Sequence, residues 1–235
     1  GRVRSCFPKF ASTTRRRFVG GMPVTLRATR GRVLRHVVLA AASVVVTVAL
    51  IGVLHRRDLR ERASIATAYV ALALLAVTLA LGPLNRLRGR PNPVSFNLRR
   101  DFGIWSAVMG LAHTAIGLTV HMRGRMYLYF VPEPGHPGIA GLRADPFGAA
   151  NDTGLIAAVL LLLLASISSD LALRRLGTRR WRSIQRWAYG ILALTIAHAV
   201  IYQWIEKQRL PLVLLLVALS VTTIALQLMG RRRHG

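Results

Sequence analysis

Six runs of mostly apolar residues, at 34–54, 64–81, 102–120, 154–173, 187–204 and 210–229, are each about long enough to cross the roughly 30 Å hydrocarbon core of a bilayer. In lipid every backbone polar group must be satisfied within the protein, and runs of this length do so as helices. The expected fold class is therefore all-α: a polytopic membrane protein built as a six-transmembrane-helix bundle. Of the 235 residues only 8 are acidic, against 33 basic ones. The basic residues cluster between the apolar runs, so the net charge of +25 belongs to loops beside anionic lipid. No zinc-finger or RNA-binding aromatic pattern accompanies them, and no nucleic-acid partner is expected.

The distribution of charge orients the bundle. The linkers at 86–100 and 174–186 are strongly basic, 121–152 is near neutral, and the two ends, 1–33 and 231–235, are basic. The positive-inside rule then places both termini in the cytoplasm, and the expected location is the bacterial inner membrane. The organisation follows: a basic cytoplasmic tail at 1–33, the six-helix domain at 34–230, and a short basic tail at 231–235. Arg56, Arg57, Arg60 and Arg62 on the first outer loop run against the rule, only partly offset by Asp58 and Glu61. Thr14-Arg15-Arg16-Arg17 resembles a twin-arginine export signal, but the apolar run that should follow is delayed to Val37, and Met22 could equally start a shorter product. The single Cys6 excludes an intrachain disulfide and a cysteine-held iron–sulfur cluster.

Two of the apolar runs each carry one histidine at mid-membrane. His113 lies 13 residues after Arg100 and His198 lies 12 after Arg186. At about 1.5 Å per residue both rings stand roughly 18 to 20 Å from a charged, water-level end. If the helices run in the same direction, the two imidazoles arrive at one depth and face each other. An ionisable side chain at that depth marks function unless it simply hydrogen-bonds a neighbouring helix, which is the competing reading. Facing histidines suit the axial positions of one heme, low-spin and fitted to electron transfer. Gly110 and Gly117 flank His113 by one turn on either side, where they either let a flat macrocycle approach or let helices pack closely. Leu194 and Tyr202 hold the corresponding positions around His198, as apolar wall and polar edge.

Several local signals set expectations. Gly82-Pro83 should stop the second helix, and Asn151-Asp152-Thr153 should cap the fourth. His121 should end the third helix as a surface residue or a partner for a propionate. Tyr127, Tyr129 and Phe130 should form an interfacial anchor or docking patch, beside an irregular loop with prolines at 132, 134 and 137. Asp170 should pair with Arg174 and Arg175 at the inner boundary. His36, His55, His136 and His234 fall at boundaries or in loops. No acyl-transfer triad, phosphate-cradling loop or dinucleotide fingerprint is present, so a nicotinamide donor would have to bind elsewhere.

The ordered motifs Gly82-Pro83-Leu84-Asn85-Arg86, Leu98-Arg99-Arg100 with Gly103, Trp105 and His113, and Asn151-Asp152-Thr153-Gly154 resemble the ferric reductase-like transmembrane domain family. So does Ser168-Ser169-Asp170 followed by Arg174-Arg175-Leu176-Gly177, Trp181, Arg186, Tyr189 and His198. The likeness covers about residues 65–205 and is greatest to the stand-alone heme-binding membrane subunits of bacterial periplasmic methionine sulfoxide reductase systems. It implies a six-helix bundle in which His113 and His198 are the ligands of an outer heme b. Members often carry a further histidine 13 residues before the second ligand; here Gln185 stands there, and Arg99 or Arg100 stands opposite. One heme is therefore expected, with a flavin or quinone in the inner cleft beside Gln185, Arg186 and Trp187 as a way to bridge the remaining gap. The implied activity is electron transfer from a cytoplasmic flavin reductase or quinol to a redox protein or larger complex at the outer face, the chain being an oxidoreductase subunit rather than a whole enzyme. The alternative is an accessory subunit of a larger membrane complex that keeps the fold with one heme or none.

Overall fold

The computed structural model describes residues 18–19, 22–55, 58–89, 93–135, 138–206 and 210–232. Cys6, Lys9, the twin-arginine stretch from Thr14 to Arg17, Arg56, Arg57, His136, Pro137, Lys207, Arg233 and His234 lie outside the described residues. The chain divides into two units, Gly1–Val38 and Leu39–Gly235. In the first, β1 (Phe18–Val19) pairs antiparallel with β2 (Met22–Pro23) ahead of the start of helix α1 (Val24–Val53). The second holds the rest of α1 and then α2 (Leu59–Leu87), α3 (Pro93–Gly117), α4 (Pro146–Ser166), α5 (Asp170–Gln185), α6 (Ala188–Glu206) and α7 (Leu210–Arg232). Between α3 and α4 run two 3-10 turns, Met122–Gly124 and Met126–Tyr129, and a small hairpin of β3 (Gly138–Ile139) and β4 (Leu142–Arg143).

This is an all-α polytopic membrane protein. Among the described residues five stretches are long and apolar enough to cross a bilayer, Arg30–Val53, Leu59–Leu87, Pro146–Ser166, Asp170–Glu206 and Leu210–Gly230, and α3, expected as the third span, is not one of them. Their apolar side chains point outward as readily as inward, as lipid allows: Val44, Val45 and Val48 of α1 are each 60% exposed or more. α2 is the centre of the bundle, packed along α3 on one side and α7 on another, while α4 packs on α6 and α3. Leu72, Leu75 and Leu79 of α2 meet Leu164 of α4, Ile191 of α6 and Leu216 of α7 in the buried core.

Helix boundaries depart from the sequence expectations for identifiable reasons. Gly82-Pro83 does not stop α2, which runs through Pro83 to Leu87. A proline removes the N–H that would bond the carbonyl four residues back, here Leu79. Gln227 Nε2 of α7 donates to that Leu79 oxygen at 2.6 Å, so the orphan acceptor is satisfied from another helix. Gly230 makes the approach possible, since a Cβ there would lie 2.9 Å from Pro83 Cβ.

α4 starts at Pro146 rather than near 154. Asp145 caps it, accepting from Gly148 N at 2.7 Å, with proline at the first helical position where no donor is missed. Asn151 and Thr153 instead lie inside the helix, where Asn151 Nδ2 donates to the Phe147 carbonyl and Thr153 Oγ1 to the Ala149 carbonyl. The apolar run expected to continue to 173 breaks after Ser166, where Ser169 caps α5 by accepting from Ala172 N. What the sequence presents as a basic linker at 174–186 is therefore largely helical, with a break at Gly177 (φ 73°). Trp181 anchors α5 by donating from Nε1 to the Ile167 carbonyl at 3.0 Å. Asp170 meets Arg100 Nη1 of α3 at 2.5 Å, a partner from another helix.

Candidate functional site

His113 stands one turn before the end of α3, and His198 stands about midway along α6. Their ring centroids are 6.0 Å apart and the ring planes cross at 75°. Each ring is fixed by a helix other than its own. His113 Nδ1 lies 2.9 Å from the Ser64 carbonyl of α2 and 3.2 Å from Ser64 Oγ. His198 Nδ1 lies 2.7 Å from the Ala150 carbonyl of α4. A carbonyl only accepts, so both Nδ1 atoms are the protonated donors and both Nε2 atoms keep a lone pair. Anchoring one ring nitrogen so that the other is free to ligate is how histidines are prepared for metals.

Both rings line one cavity formed by residues of α2, α3, α4, α6 and α7, with Leu72, Leu75, Leu161 and Leu216 among its apolar walls. Gly110, Gly117 and Tyr202 line it too. A Cβ on Gly110 would fall 2.8 Å from Leu161 Cδ1, so that glycine also lets α3 and α4 close together. A Cβ on Gly117 would sit 3.3 Å from Ser64 Oγ and 3.9 Å from His113 Cε1. Tyr202 packs on His198 with centroids 4.9 Å apart and donates its hydroxyl to Asn151 Oδ1 at 2.8 Å.

Where α2 begins and α6 ends, the cavity is bordered by Glu61, Glu206 and His121. His121 lies beyond the end of α3, in a turn rather than in the helix, with Nε2 3.3 Å from Glu206 Oε1. Its backbone N–H donates to the Tyr129 hydroxyl, which donates in turn to the Gly117 carbonyl. The expected aromatic anchor divides: Tyr127 is 59% exposed, whereas Tyr129 is buried against Phe147 and lines the cavity. Burial raises the Tyr129 phenol pKa, and the phenol stays neutral as that donor.

Gln185 and Arg186 do not line this cavity. Gln185 Nε2 donates to Ser168 Oγ at 3.3 Å, and Arg186 closes α5. Sequence reasoning overlooked Ser64, Ala150 and Gly154. A Cβ on Gly154 would lie 2.7 Å from His198 Nδ1 and 2.8 Å from Cε1, inside van der Waals contact. The small residues Ala150 and Gly154, four apart on one face of α4, were the available signal.

Among the described residues no cluster of three or more His, Cys, Asp or Glu is arranged for a bare metal ion. Two facing imidazoles are the complement that a macrocycle-held iron needs. Two imidazoles lining one cavity, with Nδ1 of each held by a carbonyl and Nε2 left with its lone pair, are a donor set that fits that group.

A family model described as ferric reductase like transmembrane component matches residues 67–196. A relative from Ralstonia nicotianae, described as the protein-methionine-sulfoxide reductase heme-binding subunit MsrQ, is 34% identical over 133 residues, 57% of this chain and 54% of that protein. Proteins of the same description from Yersinia pseudotuberculosis and Yersinia pestis are each 30% identical over 146 residues, 62% of this chain and 63% and 62% of theirs. The chain thus spans less than two thirds of the length of these relatives.

Proposed function

This chain belongs to the family of the ferric reductase like transmembrane component, and from that membership we propose that it is a membrane b-type cytochrome with one heme held between His113 and His198. The observation that carries the reading is the pair of anchored imidazoles 6.0 Å apart, their Nδ1 protons committed to Ser64 and Ala150. The relatives described as heme-binding subunits support it. When bound, the heme would supply one-electron redox chemistry, with His113 and His198 as the residues that would hold it. The residues of the chain do the rest. Ser64 and Ala150 hold the ligand rings in one tautomer, the leucine walls exclude water, and Gly110, Gly117 and Tyr202 shape the space around the macrocycle.

In this reading six helices cross the bacterial inner membrane with both termini cytoplasmic, and the histidines lie in the outer half. Electrons enter from a cytoplasmic flavin reductase or a quinol, with a flavin or quinone beside Gln185 and Arg186 as the relay, and leave to a redox protein or larger complex at the outer face. A second reading, an accessory subunit of a larger electron-transfer complex, draws support from the use of Gln185 and Arg100 as fasteners of the α4–α5 corner.

The test is the reduced-minus-oxidised visible spectrum of the purified protein, with heme quantified per chain. One b-type heme is expected, lost or turned high-spin in both His113→Ala and His198→Ala. A chain without heme, or a heme indifferent to both substitutions, overturns the cytochrome reading.

A further inference from the structure

His198 is held more tightly than a hydrogen bond alone requires. Its Nδ1–H is committed to the Ala150 carbonyl at 2.7 Å, and its edge lies over Gly154, at a spot where any Cβ would overlap the ring. The Tyr202 ring stands 4.9 Å from it, tilted by 54°. Tyr202 is itself pinned by Asn151 Oδ1, and the Asn151 amide is pinned by the Phe147 carbonyl. One turn of α4, from Ala150 to Gly154, therefore sets the plane of a ring carried by α6. Rotating that ring would break the Ala150 bond or drive the ring into α4 or Tyr202. His113 has its own fixed plane, set by Ser64 at 2.9 and 3.2 Å. The outcome of the two independent anchors is a 75° angle between the planes.

The angle has an electronic meaning. Each imidazole interacts with the iron d orbital of π symmetry that lies perpendicular to its own plane. Parallel rings act on the same orbital and split the pair widely, whereas crossed rings act on one each and leave them nearly degenerate. Near-degeneracy gives ferric iron a highly anisotropic electron paramagnetic resonance (EPR) signal with one very large g value; wide splitting gives an ordinary rhombic signal. Orientation of axial ligands by outer groups is among the means by which a protein tunes such a centre.

We infer that Ala150, Asn151 and Gly154 of α4 are positioning residues that hold His198 crosswise to His113, so that the ferric protein carries the crossed-ligand rather than the parallel-ligand signature. This rests on the cytochrome reading above and deepens it.

The experiment is low-temperature EPR of the purified, oxidised full chain, with visible spectra recorded on the same samples, for wild type, Gly154→Ala, Asn151→Ala and the control Gly103→Ala. Gly103 faces Thr78 of α2 at ordinary contact distance, away from either ring. The wild type and the control should show the large-g signal at one heme per chain. Gly154→Ala should move the signal toward rhombic or convert part of it to high-spin, and Asn151→Ala should move it less in the same direction. A rhombic wild-type signal from a low-spin heme overturns the crossed arrangement. A large-g signal unchanged in both α4 variants overturns the positioning role. If Gly154→Ala does not fold, the wild type and Asn151→Ala still decide. Absence of heme from the wild type is a different result, which overturns the cytochrome reading itself.

Discussion

The two ends of the bundle handle buried polarity in opposite ways. At the histidine end, His113 and His198 each spend one nitrogen on a backbone carbonyl of another helix and present the second to a cavity. At the arginine end, Arg100 has a side chain only 3% exposed, binds Asp170 at 2.5 Å, and stands among residues that lock a helix corner. Trp181 holds Ile167, Gln185 holds Ser168 and Arg100 holds Asp170, so three anchors within four residues fasten the turn from α4 into α5. Between the two ends Leu79, Leu164, Ile191 and Leu192 are packed together. The histidine end lines a cavity, whereas the arginine end uses polar side chains to hold helices together, with Arg100 Nε and Nη2 buried and without a hydrogen-bond partner among the described residues.

The largest effect expected from breaking this contrast is at the arginine end. Asp170→Ala removes the carboxylate from a nearly buried guanidinium. Leaving a buried charge without its partner costs several kcal/mol, but the Asp170 side chain is 59% exposed and solvent offsets part of the loss. A destabilisation on the order of 2 kcal/mol is expected, read as a lower thermal midpoint in detergent, with heme content per folded chain unchanged. A loss of heme without a fall in the midpoint would show that the two ends are not separable in the way described.

A smaller effect is expected at the histidine end from Tyr202→Phe. The ring that packs on His198 remains, while the hydrogen bond to Asn151 Oδ1 is lost and that acceptor is left in a buried place. The cost is about 1 kcal/mol, with heme retained and the EPR signal slightly less anisotropic. Thermal unfolding and EPR on one preparation check both parts.

The contrast between the ends also explains what the sequence made legible. Membrane-length apolar runs are a local property, and five of the described stretches have that length and hydropathy, although α3 is not among them and α4 and α5 begin and end away from the expected bounds. The depth count from Arg100 and Arg186 is nearly local too, and it directed attention to the two rings that lie 6.0 Å apart. What escaped was decided by distant partners. Pro83 breaks no helix because Gln227, 148 residues from Leu79, satisfies the carbonyl it orphans. Asn151-Asp152-Thr153-Gly154 has the composition of a cap, yet Asp145 and Pro146 had already begun the helix, leaving Gly154 to make room for an imidazole from α6. The α5 segment is too rich in arginine to register as an apolar run, and its helix is held by Trp181 and capped by Ser169 instead. Asp170 has two arginines close in sequence, and the packing of α3 brings it Arg100, a partner 70 residues away.

The smallest expected effect is the sharpest test of the comparison. Gln185→His restores the residue type that the resembling family often has at this position, and a reading based on motif alone would expect a second heme. The physical expectation is that heme per chain stays at one. A second bis-histidine centre needs two imidazoles and a hollow between them, whereas Gln185 sits at the end of α5 against Ser168, and Arg100 is committed to Asp170. The leucines of the core would also have to part to admit a macrocycle, giving up close-packed contacts throughout the middle of the bundle. The new imidazole should instead take up the Ser168 hydroxyl as the glutamine amide does, and heme quantification should match wild type. A rise to two hemes per chain would mean that the arginine end opens as readily as the histidine end, and that its present contacts close a cofactor site rather than replace one.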